Sequence, residues 1–278
     1  MQPLFDIIHE DADLLVVHKP ADLVCHPTKG DEYSSLVSRV RIYLGSGPGD
    51  FPQHSGDPDN LPVRPHLIHR LDRETSGVVL IAKNSVAAGE LGKIWECRAV
   101  RKEYLAIVHG HVAAEAGVIE APLGKDENSP VAIKDCVRLD GHSAQTEFVV
   151  ERRFHQVVKT EPTEPNGMPS APDNKPFSLL RVHPLTGRKH QIRIHLAHLG
   201  HPLVGDKLYG GRPEVYLALV ERRLTPEQRA WLILPQHALH ACRLTFEWRG
   251  QIREFTTPPE GVLAAFIDGQ PPTALPQT

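Results

Sequence analysis

The stretch His69-Arg70-Leu71-Asp72-Arg73-Glu74-Thr75-Ser76-Gly77 holds the residues of this chain best placed to do chemistry. Asp72 sits between two arginines, with the small polar turn Thr75-Ser76-Gly77 behind it. The apolar run Val78-Val79-Leu80-Ile81-Ala82 follows at once, and a β-branched run bounded by turn residues reads as a buried strand. Asp72 is therefore expected on a loop entering a core strand, where a rigid scaffold tends to hold catalytic groups. A carboxylate there serves as a nucleophile or as a proton-abstracting base. It serves equally as a structural acid paired with Arg70 or Arg73, and on these nine residues alone the structural reading is the more economical.

A second dense block is Leu185-Thr186-Gly187-Arg188-Lys189-His190-Gln191-Ile192-Arg193-Ile194-His195-Leu196. Its cations suit the stabilisation of an anion. His190, His195, His198 and His201 raise the question of a metal, but their spacing repeats no HExxH-type pattern and no acid or cysteine is interleaved, so no metal is expected. Cys25, Cys97, Cys136 and Cys242 are far apart and form no CxxC pair. They read as reduced, partly buried thiols rather than a zinc knuckle or a disulfide framework.

The elements that must carry these residues follow from periodicity. Leu4 to Ile8 and Leu14 to His18 read as two strands joined by the acidic turn Glu10-Asp11-Ala12-Asp13, with Lys19-Pro20 ending the second. Ser34 or Ser35 caps a helix whose face is Leu36, Val37, Val40, Tyr43 and Leu44, and Gly45 closes it. Gly45 to Pro65 reads as a long surface loop. After the Val78–Ala82 strand, Asn84 or Ser85 starts a helix with Ala87, Leu91, Ile94, Trp95 and Arg98 on one stripe, which assigns Trp95 to the core. Arg101 to Val108 is a strand by composition, and a strand tyrosine such as Tyr104 is ordinarily half-buried packing. Further strands are expected at Val118–Pro122, Thr146–Glu151, Phe177–Val182, His237–Trp248 and Ile252–Thr256. Thr160 to Pro176 reads as an excursion loop. Thr186-Gly187 turns into a helix with Ile192, Leu196 and Leu199 on one face and Arg193 on its flank. A last short helix is expected at Gly261–Ile267, and the proline-rich tail from Gly269 as disordered.

The chain has 278 residues, enough for one large domain or two small ones with a sizeable core. No window reaches the roughly 18 apolar residues of a membrane span, and no basic, apolar leader opens the chain, so the cytoplasm is the default expectation. The formal net charge of −3 does not describe a bulk nucleic-acid binder. Basic residues nevertheless crowd at Arg70 to Arg73, Arg98 to Lys102 and Arg188 to Arg193. A basic cleft on an acidic body and a set of solvated faces are both consistent with that distribution.

Four separated blocks resemble one family. HRLDRETSG matches the HRLDxxTSG signature of the RluA-type pseudouridine synthases at every fixed position. DADLLVVHKPADLVCHP resembles that family's first motif, with Asp22 where KPAGLxxHP has glycine; a turn needing positive φ there would strain aspartate more than glycine. Arg101 to Ala106 fits KxYxA, and Thr186 to His195 fits TGRxHQIRxH. The resemblance covers roughly residues 4 to 256. It implies an α+β pseudouridine synthase fold with a mixed, largely antiparallel bent sheet, flanking helices and a central active-site cleft. It further implies one catalytic domain over residues 1–268, a tail at 269–278, and no additional N-terminal RNA-binding module.

The resemblance also implies roles. Asp72 is the catalytic residue. Tyr104 packs on the target base, and a basic residue, Arg193 or alternatively Arg188, pairs with the aspartate. Arg70 fills the gap left by a flipped base, and His69 belongs to the substrate-side motif. The substrate is a uridine of tRNA or ribosomal RNA, isomerised without a cofactor by a monomer, with no role for DNA or a membrane. Two other classes stay open: an RNA-binding or folding factor using the same cleft without catalysis, and a glycosidase, which needs a second carboxylate roughly 5–10 Å from the first.

Overall fold

The computed structural model describes residues 5–27, 35–45, 64–158 and 173–270. The expected loop within 45–65, most of the excursion at 160–176, and the tail beyond residue 270 lie outside the described residues. The fold is α+β, with mostly antiparallel strands and six helices among the described residues. In chain order the elements are β1 (Asp6–Glu10), β2 (Leu14–Lys19), α1 (Leu36–Tyr43), β3 (His66–Leu67), β4 (Ser76–Ala82) and α2 (Ser85–Glu96). There follow β5 (Val100–His109), β6 (Ala116–Glu120), β7 (Leu123–Lys125), β8 (Asp135–Val137), β9 (Gln145–Val158) and β10 (Asp173–Pro184). The chain then forms α3 (Gln191–His198), α4 (Pro213–Val220), α5 (Pro226–Leu232), β11 (Leu239–Trp248), β12 (Gln251–Thr256) and α6 (Gly261–Ile267).

These elements make two compact units. The first comprises Met1–Lys102 with Ala241–Pro258, the second Glu103–His240 with Pro259–Thr278. The boundaries fall inside β5 and β11.

In the first unit β2 pairs antiparallel with β1 and with β4, β3 pairs with β4, and β12 with β11. Every residue of β2 and β4 is buried. Strands covered on both faces read as continuous apolar runs, which is why Val78–Ala82 shows no alternation. One core joins Leu14, Val16, Val78 and Leu80 to Ala87 and Leu91 of α2 and to Leu244, Phe246 and Trp248. The Asn84 side chain caps α2 by accepting the Ala87 N–H at 2.9 Å. Trp95 packs against this core as expected. Arg98 does not continue the helical stripe: α2 stops at Glu96, and Arg98 takes a left-handed φ of 56°. Ser35 caps α1, whose buried residues are Leu36, Val37, Ser38 and Val40. Tyr43, expected on the apolar face, is 45 % exposed and donates from its hydroxyl to Glu10.

In the second unit β10 pairs antiparallel with β5 and β9, and β9 with β6. Alternation along β5 feeds two cores: Ala106 and Val108 meet Ile192 and Leu196 of α3, while Ile107 meets Phe177, Leu263 and Phe266. Leu199, read as sharing the face of Ile192 and Leu196, instead caps the end of α3 and is exposed. The short hairpin β7–β8 and the helices α4 and α5 have no counterpart in the sequence reading.

Gly77 opens β4 with a φ of 125°, and a Cβ there would lie 2.2 Å from the Ala241 carbonyl oxygen. Backbone on both sides leaves no flexible group to retreat. Gly77→Ala is therefore expected to destabilise the protein by ~3 kcal/mol or more, from backbone strain and overpacking together. Denaturant unfolding checks this, and a loss below ~1 kcal/mol would mean that β11 shifts freely.

Candidate active site

The loop that carries Asp72 is fastened from three directions within the first unit. The Ile68 N–H donates to the Leu80 carbonyl at 3.1 Å, and the Leu80 N–H donates to Nε2 of His69 at 3.1 Å. One residue of β4 thereby fixes two consecutive residues of the loop. Leu71 is buried, and its N–H and carbonyl both meet the Cys25 thiol, at 3.4 and 3.5 Å. A turn closes beyond it, the Thr75 N–H donating to the Asp72 carbonyl at 3.2 Å.

The third fastening is Lys19. Its side chain is fully buried, and its ammonium donates to the carbonyls of Pro20 (2.7 Å), Leu23 (2.8 Å) and Arg73 (3.0 Å). A buried ammonium is tolerable only when its protons are taken up. Here the acceptors come from the loop after β2 and from the Asp72 loop, so one charge ties the two together. Asp22 lies in the first of these loops with φ 72°, which explains the family's glycine at this place.

Asp72 is half-buried, while Arg70 and Arg73 on either side are exposed. Among the described residues neither arginine forms an ion pair with a carboxylate. The reading of Asp72 as a structural acid paired with its sequence neighbours therefore fails. Cys25, beneath the loop, has its thiol pushed up by burial against the opposing charges of Lys19 and Arg70, and so stays protonated at neutral pH. The His69 ring stacks on Trp95 with centroids 5.5 Å apart. Burial, then the charge of Lys102, pushes the His69 pKa down to about 3, so the ring stays neutral and its Nε2 lone pair stays available to Leu80. That makes His69 a framework residue of the loop.

In the second unit the turn before α3 is organised by Gln191. Its side-chain carbonyl accepts from the Thr186 hydroxyl (2.7 Å) and the Arg188 N–H (3.0 Å), while its amide donates to Gln145 and Thr146. α3 leaves this turn with Arg193 buried to 8 % exposure. Asp206 grips Arg193 bidentately, accepting from Nε at 2.7 Å and from Nη2 at 2.9 Å. Its Oδ1 also accepts the N–H groups of Leu208 and Tyr209, both at 2.9 Å. Burial opposes ionisation of Asp206, but the Arg193 guanidinium outweighs it and holds the carboxyl well below the usual range. The Tyr209 ring lies under the guanidinium at 5.0 Å.

Arg188, the alternative to Arg193, is exposed and donates to the Ser143 carbonyl. Tyr104 sits in β5 opposite Val182, half-buried against the core that contains α3. The clustered histidines are engaged separately: His190 with the Tyr209 hydroxyl, fully buried His195 with Thr146 and the Ala121 carbonyl, and His201 with the His109 carbonyl. Sequence reasoning missed Lys19, Asp206 and Tyr209 as site-building residues. Asp206 and Tyr209 stand in the stretch GDKLYG, where nothing local indicates a partner thirteen residues upstream.

The His69 geometry has a direct check. Nε2 accepts a hydrogen bond, so the proton of the neutral ring is on Nδ1. Long-range proton–nitrogen spectra are expected to show that tautomer persisting well below the ordinary histidine pKa of about 6.5. Because the folded pKa lies below the unfolded one, the unfolded chain takes up this proton first. The group's contribution to stability is intact above about pH 6.5 and is lost as pH falls toward about 3. An ordinary titration midpoint for His69 would show that the ring is not held.

Residues 13–198 match the RNA pseudouridylate synthase family. The chain is 33 % identical over 210 residues to an uncharacterized RNA pseudouridine synthase of Bacillus subtilis (strain 168), covering 76 % of this chain and 59 % of that protein. It is 32 % identical over 242 residues to the ribosomal large subunit pseudouridine synthase D of Haemophilus ducreyi, covering 87 % of this chain and 62 % of that protein. The chain thus spans about three fifths of the length of these curated relatives. Among solved structures, human RNA pseudouridylate synthase domain containing 1 superposes with a TM-score of 0.65 at 26 % identity, over 99 % of this chain and 91 % of that one. With its fold, its HRLDRETSG loop and these relatives in agreement, the chain belongs to the RNA pseudouridylate synthase family, of the RluA type.

Proposed function

We propose that this chain isomerises a uridine of RNA to pseudouridine, with Asp72 as the reacting carboxylate. The observation that carries this reading is the mount of Asp72: it stands half-buried on a loop fixed by Lys19, Cys25 and His69. A rigid mount for one carboxylate is what the chemistry asks for. The N1–C1′ bond of the nucleoside breaks, the base turns, and C5 bonds to C1′ as the C5 hydrogen leaves. Nothing is oxidised and no group is gained or lost, so the reaction calls for no cofactor. The aspartate acts as nucleophile or as base, and in either role it must be ionised in a closed pocket. Closure alone would raise its pKa, and a guanidinium offsets that. The family resemblance gives that role to Arg193, or alternatively to Arg188; within its own unit Asp206 fixes the plane of Arg193. Tyr104 offers its ring to the base.

The target base must leave its stack, at a cost of a few kcal/mol that is smallest in loops and single strands. Arg70, exposed and next to the anchored His69, is the side chain we assign to the space the base leaves. Ribosomal RNA of the large subunit is the substrate class we favour, because the Haemophilus relative carries that name. Transfer RNA is the second arm of the test.

Two measurements test the proposal. Tritium release from transcripts labelled at uridine C5 is expected from large-subunit ribosomal RNA with the wild-type chain. With Asp72→Asn it is expected to fall roughly a thousandfold or more, as for loss of a covalent catalyst. Turnover of a few per cent in the variant would remove Asp72 from that role, and release of free uracil would point to a glycosidase. Arg70→Ala is expected to lower kcat/KM by about tenfold or more while RNA affinity changes by less than about threefold, because its work comes after docking. Equal losses in both would place Arg70 in docking instead.

A further inference from the structure

We propose that Arg98 and Lys102, at the end of α2 and the start of β5, form a phosphate-binding pair that grips the RNA backbone beside the Asp72 loop. The proposal rests on the RNA-directed reading above and adds to it a site for a different part of the substrate.

The argument begins with where the cations stand. Some cations of the first unit are neutralised by the fold: Lys83 meets Glu10 at 2.8 Å, and Arg249 meets Glu90 at 2.8 Å and Asp13 at 2.6 Å. Arg98 and Lys102 depart from this. Among the described residues neither has a carboxylate partner, although acids outnumber Lys and Arg by 34 to 31 in the chain. The charge that Lys102 does feel is Arg98, a like charge, and its other ionisable neighbour is His69, whose protonation Lys102 opposes. Lys102 is half-buried as well, so its ammonium is penalised by desolvation and by repulsion together.

The backbone supplies a second, independent observation. Arg98 follows the C-cap of α2, with its N–H donating to the Trp95 carbonyl and φ at 56°. Helices commonly end on such a left-handed residue, and glycine is the residue that adopts it without a Cβ penalty. Here the position carries a long exposed cation instead. Both residues are therefore suboptimal for the free protein in the same way: each costs stability and each presents positive charge. A bound anion offsets the like-charge repulsion that Lys102 meets. Stability given up at particular residues is the usual mark of a functional site.

The chemistry of the pair selects the anion. Arg98 offers a planar fork and Lys102 a point charge, a combination suited to phosphodiester oxygens. The location selects the RNA segment. Trp95, one turn before Arg98, stacks on His69, and Lys102 acts on that same ring. His69 is followed directly by Arg70, and Arg73 adds a further exposed cation without an ion pair. The patch thus leads to the loop of Asp72, and backbone phosphates next to the target nucleotide are its occupants. Such contacts fix register rather than sequence.

The test uses Arg98→Gly, Lys102→Met and the double variant, with Lys102→Arg as the charge-keeping variant and Arg223→Gln on the second unit as control. Affinity for a fluorescent uridine-rich RNA stem–loop is measured across a salt series, together with Tm and with turnover at saturating ribosomal transcript. Each charge removal is expected to weaken binding about fivefold and to reduce the slope of log affinity against log salt by about 0.7, the value for one single-strand phosphate contact. Lys102→Arg is expected to keep the wild-type slope, turnover at saturating RNA to stay within about twofold, and Tm to hold or rise, because a strained or desolvated cation has been removed. Unchanged affinity and slope would overturn the proposal, and so would a fall in Tm with binding intact, which is the mark of a structural pair. The two readings separate cleanly. A wild-type chain that binds RNA through this patch but releases no tritium refutes the isomerase reading alone. Variants with unaltered kcat/KM refute the patch alone.

Discussion

A buried ammonium cannot be left with unfilled hydrogen bonds, and that constraint at Lys19 governs the first unit. Its acceptors are carbonyls at the start and end of the loop after β2 and a carbonyl of the Asp72 loop. The two loops are far apart in sequence. One charged side chain emerging from a fully buried strand settles both. Cys25 and His69 then act on neighbouring backbone groups of the same loop. The result is a carboxylate whose mount is set by strands β2 and β4, not by its own flanking residues.

The second unit meets a similar problem, a buried cation, with a carboxylate in place of backbone carbonyls. Arg193 is buried, and a buried guanidinium is stable only in a geometry that fills its donors. Asp206 provides this in fork-to-fork fashion and is itself held by two backbone N–H groups and the Tyr209 ring beneath the guanidinium. The plane of the arginine is thereby fixed before any ligand arrives.

These two devices separate the cations of the chain into kinds. Lys19 is taken up by backbone carbonyls of the framework, and Arg193 is held by Asp206. Lys83 and Arg249 close surface ion pairs of small energetic weight. Arg70, Arg73, Arg98 and Lys102 belong to neither group, and they gather on the unit that bears the Asp72 loop. A nearly balanced total charge hides this arrangement, because phosphate recognition depends on local distribution.

Much of the architecture was legible from local pattern. The buried run Val78–Ala82, the Asn84 cap with its Ala87–Leu91 stripe, and the alternation in β5 each carry their own signal, since burial on a strand or helix face follows a fixed period. At Asp22 the sequence left the turn open, since the family's glycine there matters only if φ is positive, and the structure gives φ 72°. α5 was legible too, through the capping box of Thr225 and Gln228 with Pro226 at its first position, and was overlooked. The hairpin β7–β8 was not, because three-residue strands are too short to show a period. What the sequence by itself determined was the motif blocks, the family and which loop carries the proposed reacting carboxylate. What only the tertiary structure decided was which charges are spent and which remain. The partners of Lys19 and Arg193, and the lack of an ion pair at Arg70 and Arg73 among the described residues, depend on groups that the fold brings together, and no local periodicity encodes those encounters.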